Sequence, residues 1–199
     1  PFTSPADSSD FEDIGDYPEH PRSMVIYDHV PNVISSRVPG AVFNGLPPKH
    51  LLECLAPTGE FRNTLGRVAA QAYRDHSSQA YWYKVYSYDH KGRVECEIRI
   101  DDGLGIGVTY LTYNSASLVT SVRTVDAIRN HATWYTYDNA GRVSQMRTAL
   151  SASGPDYGLG LMDDDDDTLF NCYQTMTPYF AARPTDPDVV YSYDKMGRM

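Results

Sequence analysis

Val94-Glu95-Cys96-Glu97-Ile98-Arg99-Ile100 alternates apolar and charged residues without a fault. That pattern predicts a β-strand with one buried face. It runs into Asp101-Asp102-Gly103, a turn signal, and a second β-rich run follows from Val108 to Tyr113. Strand, turn and strand at this spacing predict an antiparallel hairpin. Helix-like periodicity is confined to residues 49–55 and 63–75. In the second, Leu65, Val68, Ala69, Ala72 and Tyr73 recur at helical spacing, with Asn63 or Thr64 as cap. Residues 1–47 are broken by Pro5, Pro18, Pro21, Pro31, Pro39 and Pro47, and the first 20 carry six acids and no Lys or Arg. An extended segment is expected over 4–47, with short strands at 24–27 and 41–43. Pro1-Phe2-Thr3 resembles a cloning remnant. The expected organisation is therefore 1–3 remnant, 4–47 extended, 48–79 short helical segment and 80–199 antiparallel sheet.

Within 80–199 one pattern returns. Tyr86-Ser87-Tyr88-Asp89-His90-Lys91-Gly92-Arg93-Val94, Tyr135-Thr136-Tyr137-Asp138-Asn139-Ala140-Gly141-Arg142-Val143 and Tyr191-Ser192-Tyr193-Asp194-Lys195-Met196-Gly197-Arg198-Met199 share the form Tyr-x-Tyr-Asp-x-x-Gly-Arg-apolar. A worn copy runs from Tyr113 to Val119, and a more distant one lies at Tyr27-Asp28. The second tyrosine falls at 88, 113, 137 and 193, in steps of 25, 24 and 56; the last step has room for two units and an insertion. A fixed period of this size marks a repeat architecture, and about 24 residues make two strands and two turns. The chemistry fits a hairpin. Tyrosines two apart share a face. Aspartate opens a turn by accepting a backbone N–H two residues on. Glycine three residues later takes the positive φ of a type I turn with a bulge. Arginine then pairs with the turn aspartate or stacks on a neighbouring tyrosine ring.

This motif is similar to the YD repeat of Rhs proteins, teneurins and the B and C components of insecticidal toxin complexes. The resemblance covers residues 81–199. It implies a mainly β fold, a section of a long antiparallel sheet that spirals into a hollow shell, with one or two short helices. It also implies a non-catalytic structural segment of a secreted or cell-surface parent. There the shell encloses or presents a C-terminal toxin or effector domain, or the repeats serve as an adhesion or glycan-binding module. Two departures bear on this. Rhs cores usually end in a self-cleavage segment around Asp-Pro-x-Gly, whereas Asp186-Pro187-Asp188 lacks the glycine and repeat text resumes after it. No payload domain is present, so neither autoproteolysis nor toxin activity is supported for this segment.

Composition adds 16 tyrosines, which favour strands. The net charge of −9 argues against nucleic acid or an anionic membrane as the main partner. No apolar run is long enough for a spanning helix. Cys54, Cys96 and Cys172 have no Cys-x-x-Cys spacing, so buried thiols are expected in place of zinc or a disulfide framework. No metal or cofactor is expected. Asp163 to Asp167 is read as a solvated loop, Gly103-x-Gly105-x-Gly107 as a hairpin turn, and His90 and His131 as solvated residues, in a repeat turn and before a strand respectively. No His-Glu-x-x-His or Gly-x-Ser-x-Gly motif occurs, so catalysis is not expected. Tyr81, Trp82, Tyr83 and Trp134 are expected to pack between repeats; exposed, such rings would bind sugars by stacking. The expected partners are flanking repeats, an enclosed domain or a glycan, and a second copy through open strand edges.

Overall fold

The computed structural model describes residues 23–28, 49–74, 81–101, 105–126, 130–151 and 181–199. Among these residues nine strands form one antiparallel sheet in strict chain order. They are β1 (Ser23–Tyr27), β2 (Val68–Arg74), β3 (Tyr81–Tyr88), β4 (Val94–Asp101), β5 (Gly105–Tyr113), β6 (Val119–Val125), β7 (Asn130–Tyr137), β8 (Val143–Ser151) and β9 (Val189–Val190). Among the described residues one short helix, α1 (Lys49–Leu55), lies between β1 and β2. The fold is therefore mainly β with very little helix. Every pairing joins sequence neighbours, so the sheet is a meander without crossovers.

The alternation in β4 does what its sequence predicts. Cys96, Ile98 and Ile100 are buried on one face, opposite Tyr110, Val108 and Ile106 of β5. On the other face Glu97 meets Lys84 at 2.9 Å. The buried row continues through Val85 and Tyr83 of β3 and Ala70 and Ala72 of β2. Leu52 and Leu55 of α1 close the cluster, and the Tyr110 hydroxyl donates to the Leu55 carbonyl at 2.9 Å. A helix of seven residues is marginal alone, so α1 owes its order to this apolar contact. Tyr83 and Trp134 are packed, as expected, but Trp82 is 41% exposed.

Residues 63–75 depart from expectation. They form a turn followed by strand β2, not a helix. The run Val68-Ala69-Ala70-Gln71-Ala72-Tyr73 satisfies both periods, because its apolar residues are small and closely spaced. Pairing with β1 and β3 decides in favour of strand. Three smaller corrections follow. Gly105 and Gly107 lie inside β5, not in a turn. His131 lies within β7, not before it. Cys54 is disulfide-bonded, against the expectation of buried thiols in place of a disulfide framework, because separation along a chain does not fix separation in the folded protein. The strand at 24–27 is present as β1. The strand at 41–43, the acid run 163–167, Gly103 and Cys172 lie outside the described residues.

Cys96 is free and fully buried. Burial, then the neighbouring Glu95 and Glu97 carboxylates, push its thiol well above the usual range. Cys96 should therefore resist iodoacetamide at pH 8 in the native chain and react fully in denaturant, as peptide mapping by mass spectrometry would show.

Candidate functional site

The repeated turn is the candidate site, and its aspartate organises it. Asp89 Oδ1 accepts the Lys91 and Arg93 backbone N–H groups at 2.8 and 3.0 Å. Asp138 does the same for Ala140 and Arg142, both at 2.9 Å, and Asp194 for Met196 and Arg198 at 2.8 and 2.9 Å. The other oxygen, Oδ2, takes the arginine Nε of its own turn at 2.7 to 2.8 Å. The turn is closed by Gly92 N–H to Asp89 C=O and by Asp89 N–H to Arg93 C=O, with the same pair in the other copies. Gly92 and Gly141 have φ of +76° and +78°, the conformation a Cβ disfavours.

The arginine does both things open to it. It pairs with its own aspartate, and its guanidinium covers a tyrosine of the next hairpin. Arg93 lies 4.3 Å from the Tyr113 ring centre and Arg142 4.3 Å from that of Tyr193. The same tyrosine ties the hairpins together. Tyr88, Tyr113, Tyr137 and Tyr193 donate their hydroxyls to the carbonyls of Val68, Val94, Val119 and Val143. Each accepting residue starts the return strand of the preceding hairpin. A register shift just before the tyrosine recurs at Ser87/Tyr88, Thr112/Tyr113 and Thr136/Tyr137. Such bulges re-aim a side chain, and here it turns the phenol back across the sheet. The first tyrosine of the motif plays a different part. Tyr86 donates to Gln71 Oε1 at 2.9 Å on the preceding hairpin and lies 6.5 Å, ring to ring, from Tyr88.

The structure brings Asp89, Gly92 and Arg93 together in one turn, and likewise Asp138, Gly141 and Arg142, and Asp194, Gly197 and Arg198. The worn copy keeps the geometry with altered residues: Asn114 Oδ1 accepts Leu118 N–H at 2.9 Å, and Ser117 holds φ of 64°. A first unit was only half legible. Tyr27-Asp28 opens it, but its closing half is Gly66-Arg67-Val68. Asp28 N–H donates to Arg67 C=O at 3.0 Å and Gly66 N–H to Asp28 Oδ1 at 2.5 Å. Tyr27 pairs with Val68 beyond the same register shift. Arg67 lies 5.6 Å from the Tyr88 ring centre. The signal was present as Asn63-x-x-Gly66-Arg67-Val68, hidden by a 34-residue insertion between Asp28 and Asn63 that carries α1. The last step also resolves differently. β9 pairs directly with β8, so no further unit lies between them in the sheet. Asp186-Pro187-Asp188 leads into β9, where Asp188 accepts the Thr148 hydroxyl at 2.7 Å and its backbone N–H.

Among the described residues, no group of three His, Cys, Asp or Glu is placed to hold a metal. No helix there is long and apolar enough to cross a membrane. No protein-family model matches the chain, and no curated protein matches it.

Two consequences are measurable. Around Gly141 an added Cβ finds only the Leu118 side chain at 3.5 Å, so Gly141→Val should cost about 1–2 kcal/mol from backbone strain. At Gly92 a Cβ would meet the Arg67 guanidinium at 2.1 Å; Gly92→Ala should lower the melting temperature further than Gly141→Ala by driving Arg67 off Tyr88. The second concerns acid. Desolvation raises the Asp89 carboxyl, but bonds from Arg93 and Lys91 outweigh it and hold it low. The Arg142 side chain does so first for Asp138, and the Arg198 backbone N–H first for Asp194. A carboxylate with a depressed folded pKa stabilises fully above its unfolded value, roughly 4, and loses that contribution as pH falls through the folded value. Stability should therefore drop below about pH 4. The Asp89→Asn/Asp138→Asn/Asp194→Asn variant should show a shallower acid limb in urea denaturation, because Asn keeps the turn bonds, as Asn114 does, without the proton linkage.

Proposed function

We propose that this chain is a non-catalytic structural section of a YD-repeat (Rhs-type) shell, which in its secreted or surface-exposed parent encloses or presents a C-terminal toxin or effector domain. The observation that carries this reading is the tyrosine latch. Each of four successive hairpins donates the same phenol to the same carbonyl position of the hairpin before it. The repeated residues are thereby occupied in joining hairpin to hairpin, which is the work of a wall. Their carboxylates and guanidiniums are already paired within the turns, which leaves them little capacity for acid–base chemistry. The Tyr-x-Tyr-Asp-x-x-Gly-Arg text supports the same assignment.

The test uses the full-length natural protein and a protease. The wild type should protect sequence downstream of the repeats. Tyr113→Phe/Tyr137→Phe/Tyr193→Phe loses three hydroxyl bonds at about 1 kcal/mol each and should release that protection at lower temperature. Downstream sequence digested as fast in the wild type as in isolation would overturn the enclosing shell.

A further inference from the structure

The unit at 113–119 departs from its neighbours at three positions together: Asn114 stands for the aspartate, Ser117 for the glycine and Leu118 for the arginine. In the other units the arginine is seated by groups of the next hairpin. Its guanidinium lies over the latch tyrosine, Arg67 on Tyr88, Arg93 on Tyr113 and Arg142 on Tyr193. It also stands against the glycine of the next turn, Arg67 at Gly92 and Arg142 at Gly197. Arg93 donates besides to the carbonyl that opens the next turn, that of Asn114, at 3.2 Å. Ring, glycine and carbonyl make a seat for one guanidinium.

The hairpin after the worn unit keeps every part of that seat: the Tyr137 ring, Gly141 and the Asp138 carbonyl. The ring is half-buried and fixed by its hydroxyl bond to Val119. The Asp138 carbonyl accepts the Gly141 N–H at 3.0 Å and has a second lone pair to offer. Leu118 reaches the Gly141 position, its Cδ1 3.5 Å from where a Cβ would stand, but it brings no charge. Among the described residues no cation covers the Tyr137 ring. A groove of about 560 Å³ is lined by these same residues, Leu118, Tyr137, Asp138 and Gly141, with the Thr112 and Ser121 hydroxyls in its walls. That volume is within the range of small-ligand sites.

We propose that this groove takes an arginine side chain from a partner polypeptide, its guanidinium over Tyr137 as the chain's own arginines lie over Tyr88, Tyr113 and Tyr193. A planar guanidinium stacks on a ring and keeps its N–H edge for acceptors, which an ammonium does less well. Here those acceptors are the Asp138 carbonyl and the hydroxyls of the walls. The net charge of −9 draws a basic partner towards this chain. Arg183, exposed and also in the groove wall, opposes it locally as a like charge. The proposal rests on the geometry of the turns and stands apart from the shell reading.

The test is NMR titration of the 199-residue chain, followed on the Tyr137 ring signals. The probes are three peptides, acetyl-Gly-Ser-X-Ser-Gly-amide, in which X is arginine, lysine or citrulline. Citrulline keeps the shape of arginine and removes the charge. The arginine peptide should bind about tenfold more tightly than the citrulline peptide, the share of a cation on a partly desolvated ring, with lysine between them. Arg183→Gln should tighten binding by removing the like charge. Leu118→Arg supplies the guanidinium from the chain itself and should abolish binding with the melting temperature retained. If that variant is unstable, Asn114→Asp/Leu118→Arg restores the ion pair of the other turns and serves instead. No binding of the arginine peptide, equal binding of the citrulline or lysine peptide, or unchanged binding by the Leu118 variant would each overturn the proposal. So would a melting temperature lowered as far by Arg183→Gln as by Arg142→Gln, because Arg183 would then be the cation that serves Tyr137.

Discussion

A tyrosine hydroxyl that reaches back to a carbonyl of the preceding hairpin is the bond on which the sheet's order depends. Its geometry is set in steps. The aspartate fixes the turn by accepting two backbone N–H groups, the glycine supplies the positive φ, and the register shift beside the turn redirects the tyrosine. The arginine, held by the aspartate, then covers the ring of the next tyrosine. Removing the aspartate would loosen the turn, the arginine and the next ring at once, which is why one motif of nine residues recurs as a block.

This economy leaves the rest of each unit free to vary. The first turn accommodates a 34-residue insertion between its opening and closing halves, yet Asp28 still meets Gly66 and Arg67. A long loop costs only slowly more as it lengthens, provided its ends are held. The insertion is used as well as tolerated. It returns α1 to the sheet, where Leu52 and Leu55 cover the apolar face of β2 to β5. Arg62, at its end, meets Glu95 at 3.4 Å, and Glu95 accepts the buried Ser87 hydroxyl at 3.1 Å.

The worn unit shows which parts of the motif serve the backbone and which serve the neighbour. Asn114 and Ser117 preserve the turn, because an amide oxygen accepts as a carboxylate does. The tyrosine latch survives, from Tyr137 to Val119. What is lost is the ion pair and the cation over the ring, because Leu118 stands where the other turns have arginine.

Much of the fold was legible in the sequence by itself. The Tyr-x-Tyr-Asp-x-x-Gly-Arg text specified the hairpins at 89–93, 138–142 and 194–198, because every bond within such a turn joins residues at most four apart. The alternation of Val94 to Ile100 specified β4 and its buried face for the same reason of short range. Tertiary structure decided what no local pattern contains. Residues 68–74 suit helix and strand alike, and only the partners β1 and β3 select the strand. Asp28 and Gly66 form one turn across 38 positions, a distance at which sequence spacing no longer constrains contact. The arginine's two partners illustrate the division. Its aspartate lies four residues away and could be named in advance; its tyrosine ring belongs to the next hairpin, and only the register of the folded sheet brings the two together.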